Sequence, residues 1–260
     1  MANLILSTEN LGITFGGLKA VSEVNLNVYK NEIVGLIGPN GAGKTTVFNM
    51  LTGVYEPTEG KILLNGTVIN GKKPHDIVSM GIARTFQNIR LFKALTRFVT
   101  VAENVAVAFN KDLKTSIVSS IFRTRRFYKE EKKVYEKALN ILKIFSLEEY
   151  ANEKADNLPY GKQRKLEIAR AMATSPQLLL LDEPAAGMND TETAELMQTI
   201  ATIREKFNIS ILLIEHDMNL VLGICEKLNV LEYGRMLASG NPQDVIKDEK
   251  VIRAYLGDES

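Results

Sequence analysis

The chain has 260 residues, 45% hydrophobic and 24% charged, a composition typical of a soluble globular protein and compatible with one large domain or two small ones. With 32 basic residues against 31 acidic ones the net charge is +1, so the overall balance points neither to nucleic acid nor to an acidic membrane surface. The single cysteine, Cys225, excludes an internal disulfide and a Cys-based zinc site, and its neighbours Leu222 and Ile224 mark it as a packing residue.

No apolar run approaches the roughly 20 residues that cross a bilayer, so a membrane span would have to come from another chain. The leading Met-Ala-Asn-Leu-Ile-Leu lacks the basic start and long apolar core of a secretory signal, and a cytoplasmic protein is expected. Internal repeats and low-complexity segments are absent.

From Leu4 to Val28 the alternation of side chains predicts two or three antiparallel strands with a turn at Phe15-Gly16-Gly17. Ile33 to Ile37 is short, apolar and β-branched, as a buried parallel strand requires. Gly38-Pro39-Asn40-Gly41-Ala42-Gly43-Lys44-Thr45-Thr46 then fills every position of the pattern G-x-x-x-x-G-K-[ST], and Thr45 to Gly53 has helix-compatible spacing with a closing glycine. Strand, glycine-rich turn and helix is the context of a phosphate-binding loop, whose amides and helix N-terminus favour a polyphosphate. Lys44 would sit over the β- and γ-phosphates, and the Thr45 hydroxyl would help hold a bridging Mg²⁺. Lys61 to Ile69 reads as a hairpin turning at Asn65-Gly66.

After Phe92 and as far as Ala173, helix-forming residues replace the β-branched runs. Val134, Leu139, Ile141, Leu142 and Phe145 fit one face of a helix within 128–145. The basic run Arg123-Thr124-Arg125-Arg126, flanked by Ile117, Ile121, Phe122 and Phe127, fits either a solvated helix end or contact with a membrane partner or lipid headgroups. Strands are expected again at 178–181, 209–214 and 228–231, with a helix over 192–207, and this alternation predicts a mostly parallel sheet with helices packed on it. The expected architecture is therefore an α/β P-loop fold with an antiparallel β lobe and a helical subdomain. The nucleotide-binding core is assigned to 1–92 and 174–260, and the helical part to 93–173.

A phosphate loop alone would suit a kinase, a GTPase or a motor. Downstream, Leu178 to Leu181 runs into Asp182-Glu183 at the strand end where ligands bind in such sheets. Asp182 is expected to hold Mg²⁺ through water, and Glu183 to orient an attacking water or accept its proton. His216 follows the strand 209–214, which places it to hydrogen-bond a γ-phosphate. Leu158-Pro159-Tyr160-Gly161-Lys162-Gln163 opens a basic amphipathic helix whose first amides suit a second anion.

These motifs together resemble ABC transporter ATPases, and the resemblance spans essentially the whole chain. It implies that ATP is sandwiched between the phosphate loop of one subunit and the signature turn of another. It further implies that Phe15 stacks on adenine, that Gln87 in Arg84-Thr85-Phe86-Gln87 senses the γ-phosphate and Mg²⁺, and that Asn189 lies in a dimer-contact loop. Residues alone also allow a core aromatic at Phe15 and a surface glutamine at Gln87. The usual signature is Leu-Ser-Gly-Gly-Gln; Pro159, Tyr160 and Lys162 depart from it, and Asn189 stands where an aspartate is usual.

Within the family, Phe15-Gly16-Gly17-Leu18, Pro184 to Asn189, Ile214 to Met218 and Val251 to Gly257 look like the ATP-binding subunits of branched-chain amino-acid importers. That implies a second ATPase subunit, the same or a related chain, two membrane permease subunits at whose cytoplasmic face this chain would sit, and an external solute-binding protein. The residues Asn88 to Phe92 would report the nucleotide to the permease. An ATPase for a lipid or lipopolysaccharide exporter shares these catalytic motifs. A soluble ATP-gated clamp acting on nucleic acid does not fit the near-neutral charge.

Overall fold

The computed structural model describes residues 3–87, 89–92, 99–112 and 125–256. Asn88, Gly257 and the apolar and basic cluster from Ile117 to Thr124 lie outside them, as do the side chains of Arg125, Arg126 and Phe127. The chain forms two compact units, Met1–Gln87 with Gln177–Ser260, and Asn88–Pro176.

In the first unit the strands β1 (Leu4–Phe15), β2 (Leu18–Val24), β3 (Asn27–Tyr29), β5 (Glu59–Leu64) and β6 (Thr67–Val68) make an antiparallel five-stranded sheet. β2, β3 and β5 all pair with β1. The expected hairpin turns at Asn65 and Gly66, with φ of 49° and 75°, values that suit asparagine and glycine in a two-residue turn.

A six-stranded sheet runs β11-β10-β4-β9-β8-β7, built from Arg235–Gly240, Lys227–Glu232, Ile33–Ile37, Ser210–Ile214, Leu178–Asp182 and Ile82–Arg84. It is parallel except for β11. Every residue of β4, β8 and β9 is buried, which is why these three are apolar throughout except for Ser210 at the start of β9 and Asp182 at the end of β8. The short β7 and the half-buried β11 carry no such run, and the sequence reading did not place them.

The helix α1 (Lys44–Leu51) buries Val47, Phe48, Met50 and Leu51 in a core shared with Leu6, Leu11 and Ile62 of the antiparallel sheet and Leu36, Leu180 and Leu212 of the parallel one. Burying each of these large side chains stabilises the fold by roughly 1.5–3 kcal/mol. The helix α2 (Pro74–Ser79) precedes β7.

In the second unit α3 (Val101–Ala106) begins at a capping box in which Thr100 and Glu103 satisfy each other's backbone amides. It packs on α4 (Arg125–Ile144) and α5 (Tyr160–Met172), burying Val101, Val105, Ala138, Leu142, Phe145 and Leu166. Of the stripe expected on α4, Ile141 and Leu142 are buried while Val134 and Leu139 are half-buried. Among the described residues the first unit also holds the α-helices α6 (Asp190–Phe207), α7 (Met218–Ile224), α8 (Pro242–Val245) and α9 (Glu249–Leu256). Among the described residues no helix is long and apolar enough to cross a membrane.

Candidate nucleotide-binding site

The loop between β4 and α1 starts at Gly38, with φ of 150°. A Cβ there would stand 2.1 Å from the Leu231 carbonyl oxygen of β10, so only glycine fits. Further along, the Ala42 amide donates to Pro39 O at 3.2 Å and the Ala42 carbonyl accepts from Gly234 N at 2.9 Å, which ties the loop to the β10–β11 turn. Helix α1 has no side-chain cap at Gly43, and its first amides have no acceptor within the helix. Those donors border a cavity of about 560 Å³ lined by Asn40, Gly41, Ala42, Gly43, Lys44, Thr45 and Thr46, together with Leu18, Lys19, Ala20, Gln87, Glu183 and Tyr233.

Gly38 and Pro39 are not in that lining, but their carbonyls hold the Lys44 ammonium at 2.7 and 2.9 Å. Burial lowers the pKa of Lys44, opposed by the nearby carboxylates of Glu183 and Asp182. A polyphosphate entering the cavity would compete with two neutral carbonyls for this cation, and the charged acceptor wins such an exchange.

The two adjacent carboxylates are separated by backbone conformation. Asp182 closes β8 at 3% exposure and takes Arg84 Nη2 on its Oδ2 at 2.7 Å. Glu183 is in the left-handed region at φ 46°, an uncommon state for a non-glycine residue, with its amide donating to Ile214 O at 3.0 Å. That turn sends Glu183 to the cavity, where its Oε2 accepts from Gln87 Nε2 at 2.7 Å. Asp182 stays behind, beside Arg84, which also donates to Asn49 Oδ1 at 2.7 Å and Thr52 Oγ1 at 3.2 Å.

Besides Gly38, Pro39 and Asp182, the expected site residues Phe15 and His216 are not brought to the cavity. The Phe15 ring packs edge-on to Tyr55 with centroids 5.2 Å apart, and is absent from the lining. The His216 side chain is 65% exposed, its Nδ1 3.9 Å from Glu215 Oε2, and it too is absent from the lining. Conversely, Tyr233, at φ 44° in the β10–β11 turn and 89% exposed, lines the cavity without having been singled out. Its signal in the sequence is an aromatic residue before Gly234, at the end of a buried strand.

The signature residues lie in the second unit. Pro159 is the N-cap of α5 and supplies no side-chain acceptor, so the amides of Tyr160, Gly161 and Lys162 are left to another partner. Lys162 lies over the Tyr150 ring at 3.9 Å from its centroid and donates to its hydroxyl, while Gln163 Nε2 donates to Leu158 O at 2.8 Å. Behind them Arg164 is fully buried, bonded to Glu167 at 3.0 Å and to the Tyr160 hydroxyl at 3.3 Å. Glu167 Oε1 accepts from the Arg90 amide at 3.3 Å and Arg170 Nη1 donates to the Arg90 carbonyl at 2.5 Å, which fastens Arg90 to α5. Asn189 caps α6, its Oδ1 accepting from Glu192 N at 3.0 Å while Glu192 Oε2 accepts from Asn189 N at 3.1 Å.

Residues 21–186 match the family model described as ABC transporter, and residues 235–260 that of the branched-chain amino acid ATP-binding cassette transporter. The chain is 49% identical to the high-affinity branched-chain amino acid transport ATP-binding protein LivG of Escherichia coli, over 99% of this chain and 100% of that one. It is 35% identical, over 98% of each chain, to the lipopolysaccharide export system ATP-binding protein LptB of Haemophilus influenzae. The crystal structure of MJ1267, an ATP-binding cassette of an ABC transporter in its ADP conformation, superposes with a TM-score of 0.84 at 33% identity, covering 98% of this chain and 99% of that one. The chain belongs to the ABC transporter family, as a nucleotide-binding ATPase subunit.

Proposed function

We propose that this chain hydrolyses ATP to drive an importer of branched-chain amino acids, with Glu183 attending the attacking water. The observation that carries the reading of the site is the Gln87–Glu183 hydrogen bond, 2.7 Å long, at a cavity otherwise walled by the phosphate loop. The amides of the loop and of the α1 N-terminus would hold the β- and γ-phosphates, with Lys44 leaving the carbonyls of Gly38 and Pro39 for phosphate oxygens. Glu183 would orient water in line with the bond between the γ-phosphorus and its bridging oxygen, and take a proton as that bond breaks to give ADP and phosphate. His216 would reach the γ-phosphate by turning its exposed ring, and Phe15 would stack on adenine after parting from Tyr55.

The residues present fit Mg²⁺. The Thr45 hydroxyl and Gln87 amide are hard oxygen donors at the cavity, and among the described residues there is no cluster of three His, Cys, Asp or Glu side chains that would hold a metal by themselves. A cation that takes few protein ligands and completes its shell with water and substrate phosphate suits such a site. Thr45 and Gln87 would hold it directly, and Asp182, whose Oδ2 is engaged by Arg84, through water. When bound, it neutralises charge on the β- and γ-phosphoryl oxygens.

The turn at Pro159, Tyr160, Gly161, Lys162 and Gln163 would complete the nucleotide site of a second ATPase subunit, this chain or a related one. Residues 1–92 with 174–260 would form the nucleotide-binding core and 93–173 the helical subdomain. The pair would work beneath two permease subunits at the cytoplasmic face of the membrane, fed by an external solute-binding protein. Import is favoured over export by the 49% identity to LivG, against 35% to LptB. The test is uptake of labelled leucine, isoleucine and valine by cells lacking this chain and complemented with wild type or Glu183→Gln. Uptake restored by wild type alone supports the assignment; unchanged uptake with a defect in lipid export would overturn it.

A further inference from the structure

Glu215 follows β9 and is 1% exposed, yet it is a carboxylate. Its Oε1 accepts from the Ala185 amide at 2.8 Å, and its Oε2 from the amides of His216 at 3.0 Å and Asp217 at 3.4 Å. Ala185 lies just beyond Glu183 and Pro184, and the Glu183 amide is itself bound to Ile214 O at 3.0 Å. The turn after β8 is therefore held to the end of β9 on both sides of Pro184. On the far side, Asp217 caps α7 through the amides of Asn219 and Leu220, so the backbone at His216 is fixed while its ring is exposed.

Burial raises the pKa of Glu215, and its three backbone hydrogen bonds and His216 act the other way. A neutral side chain of the same shape would avoid that desolvation, so what the carboxylate supplies is geometry: two oxygens that reach two loops at once.

We propose that Glu215 is a positioning residue for hydrolysis, which fastens the turn bearing Glu183 to the backbone bearing His216 so that the two meet the nucleotide as one unit. This rests on the roles of Glu183 and His216 proposed above.

Glutamine at this position offers one oxygen and would serve either Ala185 or the His216 and Asp217 amides. Glu215→Gln is expected to lower kcat roughly tenfold or more, while KM and the affinity for a fluorescent ATP analogue change by no more than about twofold, as removal of a supporting hydrogen-bond partner does elsewhere. The melting temperature should change little, because relief from burying a charge offsets the amide left without an acceptor. A kcat close to that of wild type overturns the proposal, as does a joint fall of kcat, nucleotide affinity and melting temperature, which is what a merely structural role gives. Amide hydrogen exchange on the wild-type protein reads the same coupling without substitution. The Ala185 and His216 amides should change protection together when a non-hydrolysable ATP analogue binds; a change at one alone, or at neither, contradicts the proposal. Glu183→Gln is assayed in parallel. If it turns over ATP the underlying site reading fails, whereas an inactive Glu183→Gln beside a normal Glu215→Gln sinks the positioning role only.

Discussion

Arg84 Nη2 meets Asp182 Oδ2 at 2.7 Å, with the two side chains 6% and 4% exposed. The guanidinium also lies over the rings of Phe48 and Phe86, at 5.6 and 5.1 Å from their centroids, and binds Asn49 and Thr52 of the α1 end. One side chain thus joins the phosphate-loop helix to the strand that ends in the two acids.

Removing that cation leaves Asp182 charged and buried without its partner. Arg84→Met should therefore destabilise the fold by about 3–5 kcal/mol, read from chemical denaturation near neutral pH. Pairing it with Asp182→Asn should recover much of the loss. A cost below about 1 kcal/mol for Arg84→Met would mean that the pair is not held as described.

Asn189 stands where relatives of this architecture were expected to carry aspartate, and the structure shows it in a capping box with Glu192. Asparagine and aspartate cap helices about equally well. Asn189→Asp should leave stability within about 0.5 kcal/mol of wild type, and Asn189→Ala should cost about 1 kcal/mol in thermal or urea unfolding. Equal behaviour of the two variants would contradict the capping role.

Glu215 sets a pH dependence whose sign follows from its environment. Its folded pKa is raised above the ordinary 4.5, so the folded protein holds the proton more tightly than the unfolded chain. The stability it contributes is fully present below 4.5 and is lost as pH rises through the raised folded value. Glu32 is raised as well, chiefly by burial, so the comparison must be between wild type and Glu215→Gln. Unfolding midpoints taken from about pH 4 to about pH 8 should fall with rising pH more in wild type than in the variant. Parallel curves would show that Glu215 does not titrate in this way.

The parts legible in the sequence were those where one physical requirement dominates. β4, β8 and β9 are buried on both faces, so their residues spell a strand directly, and the loop from Gly38 to Thr46 must be glycine-rich to let backbone amides converge. β7 has only three residues, and its Arg84 looked like part of the Gln87 motif rather than the partner of Asp182. Adjacency of Asp182 and Glu183 said nothing of the left-handed turn that parts them, because a positive φ at a glutamate has no local signature in the sequence. Asn189 with Glu192 is a capping pattern visible in the sequence, and the structure shows both of its hydrogen bonds. Tyr233 lines the nucleotide cavity in a turn whose Gly234 amide is bound to the Ala42 carbonyl, a contact between residues far apart in sequence.

The assignment of Glu183 is tested most directly by steady-state ATP hydrolysis in the presence of Mg²⁺, measured on the complex that copurifies with this chain, as wild type and as Glu183→Gln, with bound ATP quantified in both. Loss of general-base assistance predicts a fall in turnover of roughly 10²-fold or more in the variant, with ATP retained. Hydrolysis by Glu183→Gln at a rate comparable to wild type would contradict the account.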